Sequence, residues 1–185
     1  MELEQEKQLV GRAKNDPVAF GELYDRYYSR ILGYIIKRTA NIELAQDITS
    51  EVFFKALNNL HKFHWRDIPF SAWLYRIANN EIANHFRKNG QRQLDLEKIS
   101  NSMAYAELSP ESELLAAEAE LKKHEDFLIL HRNIAKLSNR YQEVISLRYF
   151  ENKRINEIAE ILGKQEGTIK SLLHRGLEKL RKAME

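Results

Sequence analysis

Residues 155–170 read INEIAEILGKQEGTIK, and this stretch decides the fold of the C-terminal part of the chain. Its apolar residues fall at helical spacing up to Gly163, and a second helical pattern begins a few residues later. Ala159 suits a close approach of two helix backbones, and Gly163 permits the tight turn between them. The stretch therefore predicts a helix-turn-helix.

The second helix of this unit separates an apolar face from a polar one. Ile169 and Leu173 are expected to join Ile158 and Leu162 in a small core. Two packed helices with a solvated basic face are the alternative, but the small and apolar residues all fall where a DNA-binding unit needs them. The outer face carries side chains suited to base edges and phosphates in a major groove, namely Lys170, Ser171, His174 and Arg175.

Three further apolar stripes predict three long helices in the N-terminal half, packed around one core. The first follows the capping sequence Asn15-Asp16-Pro17, the second covers about 42–60 and the third about 70–88. The inward positions are Phe20, Leu23, Tyr24, Tyr27, Ile31 and Ile35 in the first helix, Ala45, Ile48, Val52, Ala56 and Leu60 in the second, and Phe70, Trp73, Leu74, Ile77, Ala78 and Ile82 in the third.

Composition and breaks in periodicity indicate how the chain is divided. Only seven Gly and three Pro occur, which leaves few turn formers for hairpins, so we expect an all-α fold. Because periodicity weakens after Gly90 and returns at Pro110, we expect two small helical domains, 1–89 and 110–185, joined by a flexible linker at 90–109. In the second domain an acidic helix carries Leu114, Leu115, Leu121, Leu128, Ile134 and Leu137, and Ser138 caps a helix that carries Tyr141, Val144, Ile145 and Leu147 to Phe150.

Charge is distributed unevenly along the chain. Residues 61–92 hold six basic and two acidic residues, residues 93–126 hold three basic and nine acidic residues, and residues 164–185 hold six basic and three acidic residues. Two basic modules therefore flank an acidic connector. This arrangement is typical of a protein that grips a polyanion at two places.

Several classes of protein are disfavoured. The chain has no Cys, and neither the pair His61 and His64 nor the pair Glu81 and His85 has a convincing third ligand, so we expect no metal site. We find no Gly-rich phosphate loop and no catalytic constellation, and we expect neither a cofactor nor an enzyme. Without an apolar signal segment or a run long enough to span a bilayer, we expect no membrane insertion and a cytoplasmic location.

Two more surfaces are candidates for binding. On the second helix, Asp47, Glu51 and Phe54 lie opposite the core, and an exposed Phe among acids favours a protein contact unless a neighbouring helix covers it. The third helix has a polar stripe, and the loop before it is aromatic, which suits unpaired bases. In the alternative interpretation Trp73 is core and Trp65 is a loop anchor. This second surface comprises Phe63, His64, Trp65, Arg76, Asn80, Asn84 and Arg87.

Three stretches resemble the extracytoplasmic-function (group 4) sigma factors of the sigma-70 family of bacterial RNA polymerase. They are DITSEVF at 47–53, FSAWLYRIANN at 70–80, and EIA at 157–159 with GTIKS at 167–171. Their order and spacing also match that family over about residues 16–88 and 110–184. The resemblance implies that the chain lends promoter specificity to RNA polymerase.

The resemblance also implies a role for each surface. Asp47, Glu51 and Phe54 would dock on the β′ clamp helices of core polymerase. A base of the minus-10 non-template strand would flip into a pocket formed by the loop from Phe63 to Pro69. The C-terminal domain would dock on the β flap, the acidic linker would thread toward the RNA channels, and an anti-sigma factor would hold the free protein. The implied minus-10 contacts are Phe63, His64, Trp65, Arg76, Asn80 and Arg87, and the implied minus-35 contacts are Lys170, Ser171, His174 and Arg175.

A few positions depart from the family pattern. Ser50 stands where Gln is common, Leu172 where Arg is common, and Lys170 replaces an Arg and so lacks bidentate guanine geometry. The stretch 114–131 is long for the family. An ordinary helix-turn-helix regulator and a helical adaptor without a DNA function are the two competing hypotheses. The regulator would bind duplex DNA specifically without polymerase.

Overall fold

A computed structural model of the chain describes residues 3–39, 41–65, 69–89 and 129–184. These residues form helices without any strand, so the prediction of an all-α fold is confirmed. The N-terminal helices are α1 (Leu3–Ala13), α2 (Pro17–Thr39), α3 (Ile42–Asn59) and α4 (Phe70–Asn89), with a 3₁₀ turn at Leu60–Lys62 after α3. The C-terminal helices are α5 (129–136), α6 (Asn139–Ile145), which continues as a π-helical turn at Ser146–Phe150, α7 (Ile155–Leu162) and α8 (Glu166–Met184).

Helices α2, α3 and α4 follow the predicted stripes closely. Pro17 opens α2, and the Asp16 carboxylate accepts a hydrogen bond of 2.9 Å from the Val18 amide. Asn41 caps α3 in the same way, through the Leu44 amide. The predicted inward positions are buried or partly buried except Tyr24, which is 38% exposed and stacks its edge on Phe53. Periodicity therefore located this bundle correctly.

Helix α1 is an addition that the sequence analysis did not predict. Its composition is strongly charged, but Leu9, Val10 and Ala13 form a short apolar stripe that packs on the bundle. Glu6, on the same side, is only 4% exposed. A stripe of three apolar residues in a charged segment is too weak a signal to stand out by periodicity.

The C-terminal helices contain the predicted helix-turn-helix, formed by α7 and α8. Gly163 ends α7 with a left-handed backbone, at φ 62°, and its amide bonds the carbonyls of the last turn. Ile158, Ile169 and Leu173 are buried, and Leu162 is partly buried beside them. The helix pair is therefore built around the small core that its sequence predicts.

Two local details of the C-terminal helices, at Ser138 and Gly176, were not predicted from the sequence. Ser138 occupies the position before α6, but its side chain makes no capping bond, so that predicted cap is wrong in its chemistry. Gly176 of α8 lies against α6, where an added Cβ would stand 3.2 Å from Ile145 and 3.3 Å from Tyr141. The glycine allows these two helices to approach closely.

The linker at 90–109, together with Leu114, Leu115, Leu121 and Leu128, lies outside the described residues.

Candidate protein and nucleic-acid interfaces

The outer face of α3 displays an aromatic side chain among acids. Phe54 is 61% exposed, and Asp47 and Glu51 are exposed on the same face. Leu57, one turn on, is 48% exposed and enlarges the apolar area. No described helix covers Phe54, which removes the alternative of a Phe packed under a neighbour.

A shallow groove runs between this face and α4, and a lysine crosses it. Lys55 pairs with Glu51 at 3.0 Å and with Glu81 of α4 at 2.7 Å. The hydrogen bond to Glu81 is the main cause that raises the pKa of Lys55. Leu44, Asn84 and His85 complete the groove walls. Lys55 therefore links α3 to α4 by an ion pair across the groove.

The segment before α4 forms an aromatic cluster beside a small pocket. The Phe63 ring lies 5.5 Å from Phe70, 5.0 Å from Trp73 and 6.3 Å from Trp65, measured between ring centroids. The adjoining pocket has a volume of about 150 Å³. Its walls are Lys62, Phe63, His64, Ala72, Trp73, Arg76 and Glu160.

Both tryptophans are partly buried, so neither is a simple core residue or a fully exposed platform. Trp73 packs on Phe63 and Phe70 with one side and lines the pocket with another. Trp65 contacts Phe63, in keeping with the loop-anchor interpretation. The pocket therefore combines aromatic surface with cationic side chains, which is the chemistry that an unpaired base requires.

The polar side chains along α4 differ in their exposure. Asn80 and Arg87 are exposed, and Arg87 donates to the Asn84 side chain at 3.1 Å. Arg76 is partly buried, because its guanidinium donates to the backbone carbonyls of Glu160 and Ile161 in the last turn of α7. In this arrangement Arg76 satisfies helix-terminal carbonyls of the C-terminal domain.

The outer face of α8 is open along its predicted contact residues. Lys170, Ser171, His174 and Arg175 are all exposed. Leu172, between them, is partly buried against the core. The helix therefore presents a continuous polar and basic face.

A buried polar cluster joins the two halves of the molecule, and the sequence analysis did not foresee it. Glu151, which follows the π-helical turn, is 8% exposed. Its carboxylate accepts a hydrogen bond from Tyr75 of α4 and pairs with Lys37 at 3.4 Å and Arg30 at 3.7 Å, both of α2. Burial is the first cause that raises the pKa of Tyr75, so the hydroxyl stays protonated as a donor.

Two more cations cross the same boundary. Lys153 donates to Ser71 of α4 at 3.3 Å and lies over the Tyr75 ring, and its burial lowers its pKa. Arg38 of α2 donates to Asn79 at 2.8 Å and to Asn139 of α6 at 2.6 Å. Because these contacts join residues that are far apart in the sequence, no local pattern could have identified the cluster.

Among the described residues, no three His, Asp or Glu side chains come together as a metal site. In the described part of the chain, no helix combines the length and the hydropathy that a membrane crossing needs.

Comparisons with known proteins identify the family of the chain. The family model described as Sigma-70 region 2 matches residues 23–92, and that described as Sigma-70, region 4 matches residues 127–180. The ECF RNA polymerase sigma factor SigW of Bacillus subtilis is 33% identical over 100% of this chain and 98% of its own length. The ECF RNA polymerase sigma factor BldN of Streptomyces coelicolor is 34% identical over 94% of this chain, which spans 63% of that relative.

Solved structures share the fold as well. A co-crystal structure of the sigma factor RpoE with the anti-sigma factor NepR from Bartonella quintana superposes with a TM-score of 0.62 at 20% identity, covering 89% of this chain and 96% of RpoE. The aligned regions 2 and 4 contain the exposed Phe54 face, the aromatic pocket and the helix-turn-helix. The chain therefore belongs to the extracytoplasmic-function group of the sigma-70 family and is a promoter-recognising sigma factor of RNA polymerase.

Proposed function

We propose that three separate surfaces of this sigma factor divide the steps of transcription initiation. The α3 face binds the β′ clamp helices of core polymerase, the aromatic pocket with α4 binds the minus-10 element, and α8 binds the minus-35 element. The domains that carry these surfaces are residues 1–89 and 110–185, joined by the linker at 90–109. In this assignment the protein acts by binding and not by catalysis.

The observation that carries the proposal is the exposure of Phe54 on the same face of α3 as two acids. Leaving a phenyl ring in water forfeits about 1.5–3 kcal/mol of burial free energy, so a solvated face gains nothing from it. A partner helix with apolar and basic side chains would cover Phe54 and pair with Asp47 and Glu51. This supports assigning the α3 face to a protein partner.

For the minus-10 element, the pocket supports an unstacked base of the non-template strand. Phe63 and His64 supply ring surfaces in the pocket, and Trp65 adjoins them through its contact with Phe63. Asn80 and Arg87 offer exposed polar groups farther along α4. Arg76 is also assigned to this strand. It must first release the carbonyls of Glu160 and Ile161, so we infer that the C-terminal domain moves away from α4 before the strand enters.

For the minus-35 element, the exposed face of α8 supports entry into a major groove. Lys170 and Arg175 suit phosphates or guanine edges, and Ser171 and His174 can bond either bases or backbone. The same domain is assigned to docking on the β flap.

The free protein is assigned an anti-sigma partner and a cytoplasmic location. The solved complex of RpoE with NepR supports the first assignment by analogy. The second assignment follows because the proposed partners, core polymerase and promoter DNA, are cytoplasmic in bacteria.

The test is reconstitution with bacterial core polymerase, followed by sequencing of transcript starts on a fragmented genomic library. We expect discrete starts that share two short upstream elements, lost with Phe54→Ala or Asp47→Arg. Val18→Ala removes a 75% exposed apolar side chain from α2 and is the matched control. Specific binding to duplex DNA without polymerase, with no gain of specificity by core enzyme, would refute the proposal and favour a helix-turn-helix regulator.

A further inference from the structure

Glu6 of α1 links three elements of the N-terminal domain from a buried position. Its carboxylate accepts a hydrogen bond from the Tyr27 hydroxyl of α2 and one of 2.9 Å from the Phe70 amide. Phe70 is the first residue of α4, so its amide has no partner within its own helix. A carboxylate at this end also complements the helix dipole.

Lys14, which follows α1, fixes the other end of the same segment. Its ammonium donates to the Phe63 carbonyl at 2.8 Å, across 49 positions of sequence. Phe63 lies at the start of the aromatic segment and Phe70 at its end, and their rings are in contact. The α1 region therefore holds both ends of the segment that leads from the 3₁₀ turn into α4.

We propose that Glu6 and Lys14 are positioning residues for promoter opening, which fix the backbone at Phe63 and Phe70 so that the pocket walls contributed by Phe63, His64 and Trp73 are in place before DNA arrives. This inference rests on the proposed minus-10 role of the pocket. Phe63, His64 and Trp73 all line that pocket. Lys14 binds the carbonyl of Phe63, and His64 is the next residue. The matched Sigma-70 region 2 range begins at residue 23, so α1 lies outside it.

Neither of these two side chains is part of the apolar core. A buried carboxylate costs free energy that an apolar residue of similar size would avoid, and its donors come from two different helices. Lys14 is exposed and contributes little packing, yet it reaches a loop carbonyl. Both side chains act on the backbone at the two ends of one segment, as preorganisation requires.

The first experiment uses Lys14→Ala, a surface change that leaves the core intact, with Lys7→Ala as control. Lys7 is exposed on α1 and pairs only loosely with Glu4, at 3.8 Å. Each variant is bound to core polymerase and mixed with a promoter mapped with the wild-type protein, labelled with 2-aminopurine in its minus-10 segment. We expect Lys14→Ala to slow opening roughly threefold or more while its affinity for core polymerase is unchanged, since one hydrogen bond is worth about 1 kcal/mol.

The second experiment compares Glu6→Ala with Glu6→Gln. The amide retains an oxygen for both donors, so we expect Gln to restore most of the opening rate that Ala lowers by roughly tenfold. Acrylamide quenching of the free protein reports on the pocket and the residues beside it, because the chain has two tryptophans, Trp73 in the pocket wall and Trp65 in contact with Phe63. We expect quenching to rise in Glu6→Ala and Lys14→Ala and to be unchanged in Lys7→Ala.

Unchanged quenching and opening in Lys14→Ala would overturn the inference. So would a loss of opening in Glu6→Ala that merely tracks a loss of folded protein by circular dichroism, without rescue by Gln. If the wild-type holoenzyme opens no promoter, the proposed function fails, and the quenching data alone decide whether Glu6 and Lys14 hold the segment.

Discussion

Tyr75 in α4 donates its hydroxyl hydrogen to the carboxylate of Glu151, and this bond connects the N-terminal and the C-terminal helices at a buried boundary. The boundary is polar, with Lys37, Lys153 and Arg38 contributing further hydrogen bonds or ion pairs. Polar boundaries between domains resemble transient interfaces more than permanent cores. The contact is therefore suited to holding the domains together and to releasing them.

Replacing Glu151 with Ala is expected to separate the domains. The change leaves the Tyr75 hydroxyl and the nearby cations without their shared acceptor, at a cost of about 1.5–3 kcal/mol to domain association. Energy transfer between dyes on the two domains should fall, and small-angle scattering should give a larger radius of gyration. Glu178→Ala, an exposed acid of α8, is the control and should change neither measurement. Equal dimensions for Glu151→Ala and wild type would contradict the expected result.

Acidification is expected to destabilise the folded protein through His131. Burial, followed by the charges of Arg38 and Lys37, lowers the pKa of His131 from 6.5 to about 4. Below pH 6.5 the His131 imidazole binds a proton in the unfolded chain but stays neutral in the folded chain until the pH approaches 4. Stability is therefore complete above pH 6.5 and is lost as pH falls toward 4, by about 2 kcal/mol between pH 7 and pH 5.

Urea unfolding at the two pH values measures this effect. His131→Phe preserves the stacking on Phe150 and should remove about 2 kcal/mol of the pH dependence. His61→Gln changes an exposed histidine and is the control, and it should retain the full pH dependence of the wild type. An identical pH dependence in His131→Phe and wild type would assign the effect to other groups.

Gly163→Ala is expected to weaken the helix-turn-helix. A Cβ in the left-handed backbone at φ 62° costs roughly 1–2 kcal/mol, although no neighbouring atom blocks it. Gly167→Ala is the matched control, because it lies in the first turn of α8 with no atom within 4 Å of the added Cβ. Thermal unfolding of the full chain should show a lower melting temperature for Gly163→Ala and an unchanged one for Gly167→Ala.

On the exposed face of α8, proposed to bind the minus-35 element, Lys170→Ala and Arg175→Ala are expected to weaken promoter binding by about 1–3 kcal/mol where the side chain reads a base. A phosphate contact would instead weaken all sequences alike and reduce the salt slope by about one. Measuring holoenzyme affinity at several salt concentrations separates the two cases. Lys182→Ala, exposed near the end of α8, is the control. Wild-type affinity in both test variants would exclude this face from DNA recognition.

Sequence periodicity was sufficient for the elements whose apolar residues repeat over several turns. Helices α2 to α4 and the pair α7 and α8 were predicted, including the turn at Gly163. For Phe54 the sequence left both exposure and cover by a neighbouring helix open, and the structure shows it 61% exposed. Helix α1 was missed because its stripe is short, and the capping role of Ser138 was wrong because no side-chain bond forms. The Tyr75, Glu151 and Lys153 contacts join residues about 80 positions apart, and only the folded chain brings them together.

The π-helical turn at Ser146–Phe150 has a consequence for how insertions and deletions act on this chain. Such a turn contains one more residue than an α-helical path would need, and each α-helical residue advances the direction of side chains by about 100°. Glu151 follows directly, so its aim toward Tyr75 depends on that extra residue. Deleting Arg148 would restore a regular α-helix and rotate Glu151 away from its partners. The geometry of the domain boundary thus depends partly on the number of residues in this turn. The types of side chain in the turn do not reveal that dependence.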